Sequence, residues 1–190
     1  MTEELVDLIR SSPWMVGVLE AVRDEAVPEA WVGAGAVRDL VWGELYGSGF
    51  SPHDVRDVDV PFFDPDDLSR ANDDRVTGRL QRRLPGVPWE AKNQAAVHTW
   101  YPAKFGTGAV EPLTSIEDAV GTWPETATAV AVRLRTDDVI EVCAPLGTDD
   151  LLHGVWRRNP RRADLEQSLA RFRRHQPQKR WPRLTVIPPA

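Results

Sequence analysis

Thiols are almost absent from this 190-residue chain, whose one cysteine is Cys143. An intrachain disulfide is therefore excluded, as is any zinc site built from cysteines. Long apolar runs are missing as well. No stretch approaches the ~20 residues of a membrane span, and the N-terminus lacks the apolar centre of a signal peptide. Internal repeats and low-complexity tracts are also lacking, which removes solenoids and flexible linkers from consideration. What these absences leave is a reduced, cytoplasmic protein with no membrane partner.

The chain that remains is ordinary in bulk, 42% apolar and 27% charged, and long enough to bury a core as one domain. Its net charge of −6 conceals a division. Residues 151–190 carry ten Arg and Lys against Asp164 and Glu166, whereas residues 1–150 carry thirteen basic and twenty-seven acidic side chains. The expected organisation is a domain over 1–150 with a basic extension over 151–190 packed on its acidic surface. The rival reading of the extension is a phosphate or nucleic-acid patch.

Periodicity assigns the elements. Leu5, Leu8 and Ile9 share a helical face, and Ser12-Pro13 supplies an N-cap and a first-turn proline for a second helix. Trp14, Val18, Ala21 and Val22 would line that helix before Pro28 ends it. A short strand over 30–32 enters the turn Gly33-Ala-Gly35, and Val37, Leu40, Val41 and Leu45 continue as a helix. Val58, Val60 and Phe62 alternate with Asp57, Asp59 and Pro61, a period-two strand signal. A helix from Pro65-Asp-Asp67, a strand over 87–92, a short helix over 94–100 and a helix capped by Ser115 and Asp118 follow. Residues 129–134 and 139–143 form a hairpin, 165–172 a basic helix and 184–187 a last strand. Helices and strands mix without a regular βαβ rhythm, so the class is α+β.

Two motifs carry chemistry. A glycine turn opening a helix presents backbone N–H groups and the positive end of a dipole to phosphate. In the strand that follows, Asp57 and Asp59 point to one face, and such carboxylates cannot be buried unpaired. They can hold one or two Mg²⁺ ions, which favour carboxylates, water and substrate phosphates. A pair of such ions activates an attacking hydroxyl and stabilises departing pyrophosphate. The rival reading is a dinucleotide fingerprint, but Arg38 stands where that motif needs a small residue, and it calls for one ribose-binding acid rather than two.

Gly35-Ala-Val-Arg-Asp39 resembles the Gly-Gly-x-Val-Arg-Asp turn of tRNA CCA-adding enzymes and bacterial poly(A) polymerases, with Ala34 in place of the first glycine. Asp57-Val-Asp59 is similar to their metal-binding Asp-x-Asp. A closer resemblance covers nearly the whole chain. Gly35-Ala-Val-Arg38, Asp57-Val-Asp59, Trp89-Glu-Ala-Lys-Asn-Gln94 with His98, Trp123-Pro-Glu-Thr-Ala127, Ala144-Pro-Leu-Gly147 and Lys179-Arg-Trp-Pro182 recur in that order in a small bacterial nucleotidyltransferase-like family.

The resemblance implies a polymerase-β-like nucleotidyltransferase fold, a small mixed sheet flanked by helices, with the catalytic domain over 1–150. It implies transfer of a nucleoside monophosphate from a nucleoside triphosphate to an unidentified acceptor (small molecule, protein or RNA), with Mg²⁺ or Mn²⁺ as cofactor. Superfamily sites add a third carboxylate from a neighbouring strand, for which Glu90 is the candidate beside Asp57 and Asp59. Gly33, Gly35, Arg38, Lys92 and Asn93 are the candidate nucleotide-binding residues. Each has a structural alternative: Glu90 and Lys92 as an exposed ion pair, Arg38 as the partner of Asp39 or Asp57, Asn93 as a helix cap. Trp100 and Trp123 are candidates for stacking on a base, and His98 is more readily structural than a base. A non-catalytic nucleotide- or RNA-binding module on the same fold is the alternative function.

Overall fold

The computed structural model describes residues 2–161 and 164–189. The opening helix α1 (Thr2–Arg10) buries Leu5 and Ile9, the pair that i, i+4 spacing selects. Helix α2 (Pro13–Asp24) begins as expected, with Pro13 in the first turn and Ser12 Oγ accepting from the Met15 N–H. It buries Val18, Ala21 and Val22 but leaves Trp14 partly covered. It also stops short of Pro28, because Ala26 has already turned the chain with a φ of 48°.

Strand β1 (Val32–Gly33) then leads into α3 (Gly35–Tyr46), followed by β2 (Val58–Phe62), α4 (Arg70–Arg83) and β3 (Trp89–Asn93). Helices α5 (Val97–Phe105) and α6 (Ile116–Val120) precede the hairpin β4 (Ala131–Leu134) and β5 (Ile140–Cys143). The chain ends through α7 (Asp149–Leu152), β6 (Val155–Trp156), α8 (Leu165–His175), α9 (Pro177–Arg180) and β7 (Thr185–Val186). Helix α4 starts later than its sequence signal. The Asp64 and Asp67 carboxylates bond the N–H groups of Asp66 and Ser69, so local side-chain turns replace the first helical turn. Leu68 is left exposed.

The main sheet has five strands in the order β3-β2-β1-β4-β5. Only β2 and β3 run parallel, joined by the crossover helix α4, and the other pairings are antiparallel. This is the expected α+β class with a mixed sheet between helices. Val58, Val60 and Phe62 point into the core from β2, which leaves Asp59 on the opposite face.

One apolar cluster runs from Leu5 in α1 to Trp181 and Leu184 near the C-terminus. Its centre is the fully buried Trp42 of α3, whose ring lies 5.2 Å from Trp181 and 6.1 Å from Trp156. The indole N–H of Trp42 donates to Leu151 O at 2.7 Å, satisfying its one donor. Strands β6 and β7 pair in parallel, so residues late in the chain close over α3. Arginines of that late segment meet acidic partners: Arg157 with Asp150, Arg161 with Asp118, Arg171 with Glu125 and Arg180 with Asp39. Among the described residues no helix is long and apolar enough to cross a membrane.

Candidate active site

The site is laid out by strand register. Gly33 of β1 stands opposite Asp59 of β2, and Asp59 stands beside Glu90 of β3. Register partners share a sheet face, and neighbouring strands lie about 4.8 Å apart. The end of β1, Asp59 and Glu90 therefore form a row across three strands, roughly 10 Å long. Lys92, two residues beyond Glu90, shares its face and lies 3.5 Å from its carboxylate and 3.9 Å from that of Asp73.

At one end of the row the chain turns from β1 into α3. Ala34 adopts φ 47° and ψ −106°, a conformation rare for a residue with a Cβ, and no side chain caps the helix that starts after it. Ala34 offers the first N–H groups of α3, at the positive end of its dipole, no capping side chain. Glycine at 34 would relieve the backbone. Ala34→Gly is expected to raise stability by about 1 kcal/mol, or roughly 2–4 °C in Tm, measured by thermal melts.

Gly33 is needed for a different reason. A Cβ there would lie 2.5 Å from Cη2 and 2.8 Å from Cζ3 of Trp123. The Trp123 ring packs against the backbone where β1 ends. Gly33→Ala is expected to push that ring away at a cost of about 1–3 kcal/mol, seen as a lower Tm together with a shifted tryptophan emission.

The carboxylates crowd one another. Asp57 is exposed beside the turn, with Oδ1 3.6 Å from where a Cβ on Gly35 would sit. Asp59 is half-buried. Burial first, then the charges of Asp57 and Glu90, push its carboxyl up to about 7, against opposing pulls from Arg171 and Arg38. The charges of Asp57 and Glu90 thus bear on Asp59 with too little opposing charge beside it, and carboxylate oxygens suit a hard divalent cation. Among the described residues no three His, Cys, Asp or Glu are grouped so as to hold a metal ion. Mg²⁺ does not require such a group, since it keeps water and substrate phosphate as ligands.

Other expected residues have their side chains engaged elsewhere. Arg38 is buried, donates through Nε and Nη2 to Asp39 Oδ1 at 3.0 and 2.7 Å, and lies 5.3 Å over the Trp181 ring. Asp39 Oδ2 takes Arg180 at 3.1 Å. Arg38 thus fixes α3 to the late segment, and its charge reaches Asp59 as a field. Asn93 is buried and fully bonded. It donates to Asp64 O and Asp67 O and accepts from the N–H groups of Asp64 and Ala95, so it caps the 3₁₀ turn 94–96 and clamps the loop before α4.

Two connected cavities flank the row. A small one, about 200 Å³, is lined by Ala34, Asp59, Glu90, Lys92, Trp123 and Arg171 among others. It shares Glu90, Lys92, Trp123 and Arg171 with a cleft of about 750 Å³ lined by residues of α5 and α8. Trp100 and Trp123 both line the cleft. Arg171 and Arg174 of α8 also line it, and no local sequence signal singles them out within a generally basic helix. Burial and the charges of Arg171, Arg38, Arg174 and Arg56 hold His175 down at about 3, so cations of the turn, the loop before β2 and α8 converge beside the site. His98, with its Nδ1 buried and unbonded, does not line either cavity.

A phosphate-ready helix end, an Asp-bearing strand and a parallel third strand with its own acid define the nucleotidyltransferase head fold of the polymerase-β-like class. A nucleotidyltransferase family model matches residues 20–186, and the chain belongs to that family. A solved structure described as revealing a CCA-adding enzyme head domain is 30% identical, covering 97% of this chain and 95% of that one, with a TM-score of 0.77. The Thermotoga maritima CCA-adding enzyme complexed with tRNA is 16% identical with a TM-score of 0.59, and the match covers 98% of this chain but 42% of that enzyme. A CCA-adding enzyme complexed with ATP gives 16% identity and 0.55, over 95% and 41%. These last two share the fold. No curated protein matches the chain significantly.

Proposed function

We propose that this protein transfers a nucleoside monophosphate from a nucleoside triphosphate to an acceptor hydroxyl and releases pyrophosphate. The observation that carries the reading is the row from the Gly33–Gly35 turn through Asp59 to Glu90. In this reading the N–H groups of α3 bind the triphosphate tail, with Lys92 as a point charge beside it. Asp57, Asp59 and Glu90 would hold Mg²⁺ or Mn²⁺, which supplies charge neutralisation at the transferred phosphate and a more acidic acceptor hydroxyl. Trp123, lying on Gly33, excludes water from one side of the small cavity. Residues 1–150 carry this machinery and 151–190 complete its wall through Arg171, in a cytoplasmic setting consistent with the lone Cys143.

Incubation with each α-labelled nucleoside triphosphate, Mg²⁺ or Mn²⁺ and cell extract tests the reading. Label transferred to a metabolite or macromolecule by the wild type but not by Asp59→Asn is expected. Metal-dependent nucleotide binding without any transfer would favour a binding module instead, a reading favoured by the lack, among the described residues, of three His, Cys, Asp or Glu grouped to hold a metal.

A further inference from the structure

The larger cleft borders the Glu90 end of the row. It shares Glu90, Lys92, Trp123 and Arg171 with the small cavity but touches neither Ala34 nor Asp59. In nucleotidyl transfer the attacking and leaving oxygens stand roughly in line through the phosphorus. If pyrophosphate departs at the N-terminus of α3, the nucleophile must arrive from the Glu90 side, where the cleft opens. We propose that this cleft is the acceptor site, and that the acceptor is a small molecule carrying a flat ring, an anionic group and a hydroxyl. The proposal rests on the transferase reading above.

The lining specifies those three features. Its volume of about 750 Å³ lies within the range of small-molecule sites. Trp100, Tyr101 and Phe105 of α5 form an aromatic wall suited to a ring. The cations differ in how far they are neutralised. Lys92 has Glu90 and Asp73, and Arg171 has Glu125 at 2.6 Å. Arg174 has no carboxylate partner among the described residues, and Lys104 has only the faces of Trp100 and Phe105, at 5.3 and 5.5 Å. Two uncompensated cations on opposite walls call for an anion between them. Ser168 Oγ adds a hydrogen-bonding demand: it is buried on the α8 wall, 7% exposed as a residue, and has no partner.

In the step itself, the acceptor hydroxyl oxygen forms a bond to the α-phosphorus. The bond from that phosphorus to the bridging oxygen of the β-phosphate breaks. Pyrophosphate leaves toward Gly35, and the hydroxyl proton passes to water in the open cleft.

The test saturates the full chain with α,β-methylene nucleoside triphosphate and Mg²⁺, then titrates the four ribonucleoside 5′-monophosphates and their parent nucleosides by calorimetry. At least one monophosphate is expected to bind the saturated protein about tenfold more tightly than its nucleoside, the increment of a charge-assisted contact. Arg174→Ala, at an exposed residue, should erase that preference and leave analogue affinity within about twofold; Lys104→Ala should do the same. Displacement of the analogue by the monophosphate would make the cleft a donor-base site and overturn the proposal. Binding of a ribo-oligonucleotide but of no monophosphate would overturn it in favour of RNA, and binding of neither would overturn it outright. Failure of the analogue itself to bind with Mg²⁺ would instead overturn the transferase reading on which the proposal rests.

Discussion

Asp59→Asn should abolish nucleotidyl transfer and at the same time make the metal-free protein more stable at pH 8. On the proposed mechanism the loss of activity is expected to exceed roughly 10²-fold, since the substitution would remove a metal-ligand charge at the reacting phosphate. The gain in stability follows from crowding. Burial and the charges of Asp57 and Glu90 raise the Asp59 carboxyl from its ordinary value to about 7. Between about pH 4 and pH 7 the native state therefore binds more protons than the unfolded chain, and wild-type stability falls as pH rises. An amide does not titrate, so the variant escapes that loss. Its advantage should be absent below pH 4 and complete above pH 7, at roughly 2–4 kcal/mol. Thermal melts across pH without metal measure this. Equal melting temperatures at pH 8 would show that Asp59 is not destabilised by its neighbours. Mg²⁺ should narrow the gap by stabilising the wild type more.

Arg171→Ala is expected to cost about 3 kcal/mol, or roughly 6–12 °C in Tm. Glu125 is 3% exposed, and its Oε1 accepts from Arg171 Nε at 2.6 Å while Oε2 accepts from Thr128 at 3.1 Å. Removing the guanidinium leaves an unpaired carboxylate in the interior, which costs more than the ion pair contributes when intact. Adding Glu125→Gln to Arg171→Ala should restore most of the stability but not nucleotide binding, because Arg171 also lines the cavity beside Asp59. If the double variant stays as unstable as the single one, the buried charge is not the cause.

The parts of this site that were legible in the sequence are those set by local periodicity. Val58, Val60 and Phe62 alternate, so Asp59 had to face away from the core on a strand. Ser12 and Pro13 announced the start of α2, and the Asp137-Asp138 turn announced the hairpin of β4 and β5. The pairing of Asp59 with Glu90 was reachable only by expecting the next strand to lie alongside, because register depends on how α4 packs rather than on any local pattern. Side-chain destinations were legible only as alternatives. Arg38 turned to its neighbour Asp39, and Asn93 turned to backbone groups of the loop over 64–67, distant in sequence. Arg171 and Arg174 had no individual signal, since three arginines crowded into the second half of α8 do not reveal which of them face a cleft.

The ion pair between Glu125 and Arg171 also sets an order of events. A chain emerges from synthesis N-terminal end first. The strands β1 to β5, and with them Asp59 and Glu90, are all complete before α8 exists. Until Arg171 follows, Glu125 lacks this ion pair and that part of the cavity wall is missing. The acidic row is thus assembled early but enclosed last, so a nascent chain carries these carboxylates before the cavity beside them is walled.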